Sequence, residues 1–108
     1  FLKAENNWNQ VCNTGLVYGA LALLDSDSKE AAAVIERAMS SVPLSMKVYA
    51  PDGNYPEGYN YWGYGTSFNV MLIAALESAL GSDGGLLYVF GPVHAVYGGN
   101  DRSCLQFQ

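Results

Sequence analysis

The stretch NNWNQVCNTGLVYGALALLD, residues 6–25, decides the fold. Asn6 or Asn7 suits a helix N-cap, because a short side-chain carbonyl accepts from first-turn N–H groups that have no partner inside the helix. From Asn7 to Leu24, the residues Trp8, Val11, Cys12, Leu16, Val17, Ala20, Leu21, Leu23 and Leu24 cover more than one face. A helix that is apolar nearly all round belongs in an interior, with other helices beside it. Gly15 and Gly19, four residues apart, leave room for one of them to approach closely.

The same character returns near the other end. Phe68 to Leu80 predicts a second interior helix, capped by Thr66 or Ser67 and stopped by Gly81 at the position glycine favours after a helix. Between the two, Asp27 with Glu30 three places on has the spacing of a capping box, with Asp where Ser or Thr is usual. Val34, Ile35, Ala38, Met39 and Val42 then form one stripe opposite Glu36 and Arg37, which predicts an amphipathic outer helix over Ala31 to Met39. Pro43 should kink or restart that helix, with Leu44 to Tyr49 adding another turn. Pro51, Gly53, Pro56, Gly58, Gly63 and Gly65 predict a loop from Ala50 to Gly65. Leu86 to Phe90 reads as a short strand, and the residues from Gly91 to Gln108 carry no clear period. The expected fold is mainly α: about three main helices, two interior ones bracketing an outer one, with an irregular or strand-like tail.

Composition narrows the function. The chain has 108 residues, enough for one domain; half are hydrophobic and 14% are charged, against about 25% charged in ordinary globular proteins. A body this small buries only roughly 60–70% of its unfolded surface, so the apolar supply exceeds what one core absorbs. Self-association through exposed apolar helix faces is the expectation. The opening Phe1-Leu2-Lys3 leads almost at once into a helix, as an internal piece of a larger enzyme would. Ten acidic residues against five scattered basic ones give a net charge of −5, which excludes a nucleic-acid surface. No run approaches the roughly 18 apolar residues of a membrane span. Cys12 and Cys104 lack paired spacing and His94 is the sole histidine, so neither a metal site nor a cofactor is expected.

Chemistry concentrates in the predicted loop. Six of the fourteen aromatics (Tyr55, Tyr59, Tyr61, Trp62, Tyr64 and Phe68) fall between residues 55 and 68, interleaved with Glu57 and Asn60 and preceded by Asp52 and Asn54. Rings stack on the C–H faces of pyranoses while amides and carboxylates pair their hydroxyls, and a long loop on a helical scaffold is where such sites occur.

The strings NNWNQVCNTGLVYGALALLD, YAPDGNYPEGYNYWGYGTSFNV and MLIAALESALGSD, in that order, resemble the helical domain of the heparinase II/III-like polysaccharide lyases over about Asn6 to Asp83. The resemblance implies a fragment of an incomplete (α/α) toroid over residues 1–86, β-elimination of uronate-containing glycans, an acidic polysaccharide as partner, and a periplasmic or secreted parent protein. In that chemistry a neutral donor holds the uronate carboxylate as charge develops, and a tyrosine or histidine moves the C5 proton. The resemblance places Asn7 on the carboxylate-holding asparagine and Tyr64 on the catalytic tyrosine. The resemblance places Glu57 at a loop position that contacts substrate or orients the tyrosine; Trp8, Tyr61 and Trp62 are the further candidate substrate-binding residues, and many relatives have histidine where this chain has Trp8. With catalytic parts beyond this segment missing, the chain alone should be inactive or nearly so. The resemblance stops at Leu87, and residues 87–108 form an anomalous tail. Synonymous codons read one base displaced from Leu87 permit SMSSGLFMQSTAETTGPAFNF, which looks like the helix and Gly-Pro…Phe-Asn segment that relatives carry there, so the tail reads as out of frame. Two other functions stay open: a toroid-type glycoside hydrolase with Asp52 and Glu57 as acid and base, and a non-catalytic helical module that binds sugars.

Overall fold

The computed structural model describes residues 1–50 and 52–89. Its elements are α1 (Asn7–Ala22), α2 (Ser28–Met46), a 3-10 turn (Lys47–Tyr49), α3 (Tyr59–Leu80) and a single turn, α4 (Leu86–Val89). The chain is mainly α, as its sequence predicts, and no strand occurs among the described residues. The predicted strand at Leu86 is instead the helical turn α4, opened by the Asp83 side chain accepting from Gly85 N–H and Leu87 N–H. Leu86 buries itself in the core, and α4 packs on α2. The remainder of the tail lies outside the described residues.

Inter-helix bonds fix the helix directions. Asn9 meets Ser45 while Asn13 meets Ser41, so α1 and α2 are antiparallel. Gln10 lies against Gly65, the Thr14 hydroxyl donates to the Phe68 carbonyl at 3.1 Å, and the Tyr18 hydroxyl donates to the Met71 carbonyl at 3.1 Å. Partner numbers rise together along both helices, so α1 and α3 run the same way and begin at the same end.

The inside of α1 reverses the expectation. Its buried face is Asn7, Asn9, Gln10, Asn13, Thr14, Val17 and Ala20, while Trp8, Leu16, Tyr18 and Leu23 are exposed. The reason is a hydrogen-bonded seam against α2. The Asn9 amide donates to the Ala4 carbonyl (2.8 Å) and the Ser41 carbonyl (3.1 Å), and its oxygen accepts from the Asn13 amide at 2.9 Å. Asn13 also donates to the Ser41 hydroxyl at 3.1 Å, which donates onward to the Leu2 carbonyl at 2.6 Å. These bonds offset the cost of burying the amides, although the Asn13 and Gln10 side-chain oxygens have no partner among the described residues. Apolar packing takes over away from the seam, through Val17, Ile35, Val42, Met46, Leu72, Ile73 and Leu76.

Local signals were followed unevenly. Asn6, not Asn7, caps α1, accepting from Trp8 N–H at 3.1 Å. Asp27 begins α2 without a side-chain cap bond, so the expected capping box does not close. Pro43 does not restart α2, which continues as one helix to Met46. The buried stripe Ile35, Ala38, Val42 and Met46 runs straight through it, and that burial outweighs one missing amide bond. Gly81, at φ +76°, stops α3 as predicted.

Candidate functional site

The largest departure is the aromatic segment. It is not a loop to Gly65: α3 begins at Tyr59, and Thr66 and Ser67 lie inside it rather than capping it. Two features start the helix early. Gly58 turns the chain at φ +88°, and the Trp62 indole N–H donates to the Gly53 carbonyl at 2.8 Å, tying the first turn to the preceding loop. Gly65 then serves contact rather than flexibility. A β-carbon there would overlap the Gln10 amide oxygen and sit 2.7 Å from the Tyr49 hydroxyl.

The remaining loop, residues 52–58, is short and tied at both ends. Gly53 N–H donates to the Tyr49 carbonyl at 2.6 Å, and the Asp52 carboxylate accepts from Asn54 N–H at 3.1 Å. Tyr49 is fully buried and accepts from the Gln10 amide at 3.1 Å. The Tyr55 ring stacks on it, with centroids 5.0 Å apart. The Tyr55 phenol faces the Glu57 carboxylate and the Asn7 N–H. The loop therefore joins the start of α3 to the start of α1.

Around this junction stand the residues singled out in the sequence. Asn7 opens α1 and is only 8% exposed, yet its side-chain amide bonds no described residue. Trp8, beside it, is exposed, as are Glu57, Tyr61 and Tyr64; Trp62 is half-buried. Tyr64 packs edge-on to Phe68, centroids 5.2 Å apart. Tyr64, Phe68 and Met71 follow helical spacing along one stripe of α3, the stripe that Thr14 and Tyr18 of α1 reach. Extending the 14-to-68 register puts Tyr64 level with Gln10. That is about one helical turn, roughly 5 Å along the axis, below Asn7.

Other residues at this end were not singled out. Tyr59 stacks on Trp62, centroids 6.3 Å apart and planes within 10°, and is almost wholly exposed at 84%. Tyr49, Tyr55 and Gln10 form the support beneath. Nothing in the sequence marks Gln10 except its helical spacing from Asn7, three residues before. Of the two carboxylates considered for hydrolysis, Asp52 is engaged by its own loop and Glu57 faces Tyr55. Among the described residues no three His, Cys, Asp or Glu side chains come together, and no helix is long and apolar enough to cross a membrane.

Burial pushes the Tyr55 phenol up from its ordinary value near 10 to about 12, helped by the neighbouring Glu57 carboxylate. Burial raises the Tyr49 phenol too, against the opposing effect of Gln10 and Thr66. Both phenols are therefore structural acids held neutral, unsuited to act as bases. A raised folded value means the unfolded chain loses these protons first. The stabilisation is complete below about pH 10 and falls away between about pH 10 and 12. Urea midpoints measured across that range should decline steeply, and Tyr55→Phe should flatten the decline. An unchanged slope in the variant would show that Tyr55 does not carry it.

No protein-family model matches the chain, and no curated protein matches it.

Proposed function

We propose that the chain is the substrate-holding part of a polysaccharide lyase acting on uronate-containing glycans. In this reading it is a portion of an (α/α) toroid whose remaining catalytic groups are supplied from elsewhere, in a secreted or periplasmic protein. The observation that carries the reading is Asn7: a nearly buried side chain whose amide is not engaged by any described residue, at the end where α1 and α3 both begin. A side-chain amide that bonds no described residue is a neutral donor for a carboxylate, and it stabilises developing charge at the α-carbon without contributing a titrating proton. Tyr64 is exposed along the adjoining stripe of α3, where a phenol can exchange a proton with a sugar lying across the starts of α1 and α3. Trp62, held by Gly53, offers a fixed ring with Tyr59 stacked on it; Trp8, Tyr61 and Glu57 border the same end.

The hydrolase alternative is less well supported, because Asp52 is already accepting a backbone N–H. Titration of the chain with defined oligouronates, followed by tryptophan fluorescence and amide NMR shifts, tests the proposal. Binding is expected, with Asn7→Ala and Trp62→Ala each weakening it about tenfold, or about 1.4 kcal/mol. Slow formation of an unsaturated uronate, abolished by Tyr64→Phe, would strengthen it. Failure to bind, or binding unchanged in both variants, would overturn it.

A further inference from the structure

The Tyr59 ring is exposed but not loose. It lies within 10° of parallel to the Trp62 ring, with centroids 6.3 Å apart. Trp62 is fixed in turn by its indole N–H on the Gly53 carbonyl. Rings held in place beforehand spare a ligand the cost of ordering them. Charge around them is unusual for a chain read as gripping an anionic glycan. Residues 52–68 contain Asp52 and Glu57, both exposed, and no Lys, Arg or His. Both acids stand in the loop whose Gly53 holds the Trp62 ring. α1 carries no charged residue, and Glu77 is the only one in α3. Lys3 and Lys47 approach this end from before α1 and after α2, but with Glu5 the count is three acids against two bases. The start of α3 adds about half a positive charge, which the two loop carboxylates outweigh.

We propose that Tyr59 and Trp62 form a subsite for an uncharged, unsulfated pyranose, next in the glycan to the uronate that Asn7 takes. The uronate half of this statement rests on the reading of Asn7 given above; the neutral half rests on the rings and the acids. A pyranose sets its C–H face on the open side of Tyr59. Its hydroxyls are donors, and the exposed carboxylates of Asp52 and Glu57 and the side-chain carbonyls of Asn54 and Asn60 are acceptors in the same segment. A sulfate or a second carboxylate at this position has no proton to donate and meets two like charges. Repulsion of that kind selects between ligands as strongly as a new contact does. Tyr59 is thereby a residue that sets specificity, and the glycan it selects mixes neutral sugars with uronate.

NMR titration of the 108-residue chain, read at the indole N–H signals of Trp8 and Trp62, tests the subsite. The probes are a hexasaccharide alternating uronate with unsulfated N-acetylhexosamine, its sulfated counterpart, a hexamer of uronate alone, and an N-acetylglucosamine tetramer. The unsulfated alternating ligand is expected to shift the Trp62 indole and to bind about tenfold more tightly than the sulfated ligand or the hexauronate. Tyr59→Ala should weaken that ligand about tenfold while changing the hexauronate less than about twofold. Asp52→Asn combined with Glu57→Gln should close most of the gap to the sulfated ligand. Equal binding of the sulfated and unsulfated ligands, or a Tyr59→Ala loss that the hexauronate shares, would overturn the subsite and leave the reading of Asn7 standing. A Trp62 shift with the neutral tetramer but no response to any uronate would support the subsite and remove the lyase reading. No binding of any probe would overturn both.

Discussion

Asn9→Ala is expected to destabilise the chain by about 2–4 kcal/mol and to lower its Tm by roughly 10–25 °C. Asn9 is fully buried and sits at the centre of the seam, donating to the Ala4 and Ser41 carbonyls and accepting from Asn13. Alanine removes both donors and the acceptor at once, and leaves the Ser41 carbonyl and the Asn13 amide without these buried bonds. Desolvated groups without partners cost more than a hydrogen bond nominally contributes. Thermal unfolding followed by circular dichroism gives the measurement. A fall of less than about 3 °C, below 1 kcal/mol by the same conversion, would mean that the seam does not hold α1 on α2.

Tyr49→Ala should be at least as damaging, at about 3–5 kcal/mol. The ring is fully buried, supports Tyr55 from below, and carries the hydroxyl that the Gln10 amide bonds. Its removal opens a cavity beneath the loop and strips Gln10 of a partner beside Gly65. Since small domains have only about 5–15 kcal/mol in total, the variant should approach the unfolding threshold. Tyr49→Phe keeps the volume and loses only the bond, for about 1–2 kcal/mol. Urea unfolding of the pair separates packing from hydrogen bonding: equal losses would show that the ring itself contributes little.

The helical class, the order of the three long helices and the stop at Gly81 were legible from periodicity and turn residues. The interior of α1 was not. Hydropathy ranks Leu16 and Leu23 above Asn9 and Asn13, yet four serine and asparagine side chains matched across α1 and α2 reverse the ranking. Such matching is a property of the pair, invisible in either helix alone. The early start of α3 was hidden for a related reason. Gly63 and Gly65 each cost helix propensity of about 1 kcal/mol, but Gly65 brings α3 onto Gln10 and Tyr49, and Trp62 secures the first turn. Residue types at the candidate site could be read directly, including Asn7, Trp62 and Tyr64. Their support by Tyr49 and Tyr55 depends on contacts across the loop that spacing does not encode.

The common direction of α1 and α3 also polarises the molecule. Two helices of 16 and 22 residues point one way and a single helix of 19 residues points the other, so their peptide dipoles fail to cancel. About one helix's worth of alignment remains, equivalent to roughly half an elementary charge at each extremity. A body of overall charge −5 thus keeps one comparatively electropositive pole, formed by backbone alone and unaffected by any titrating side chain.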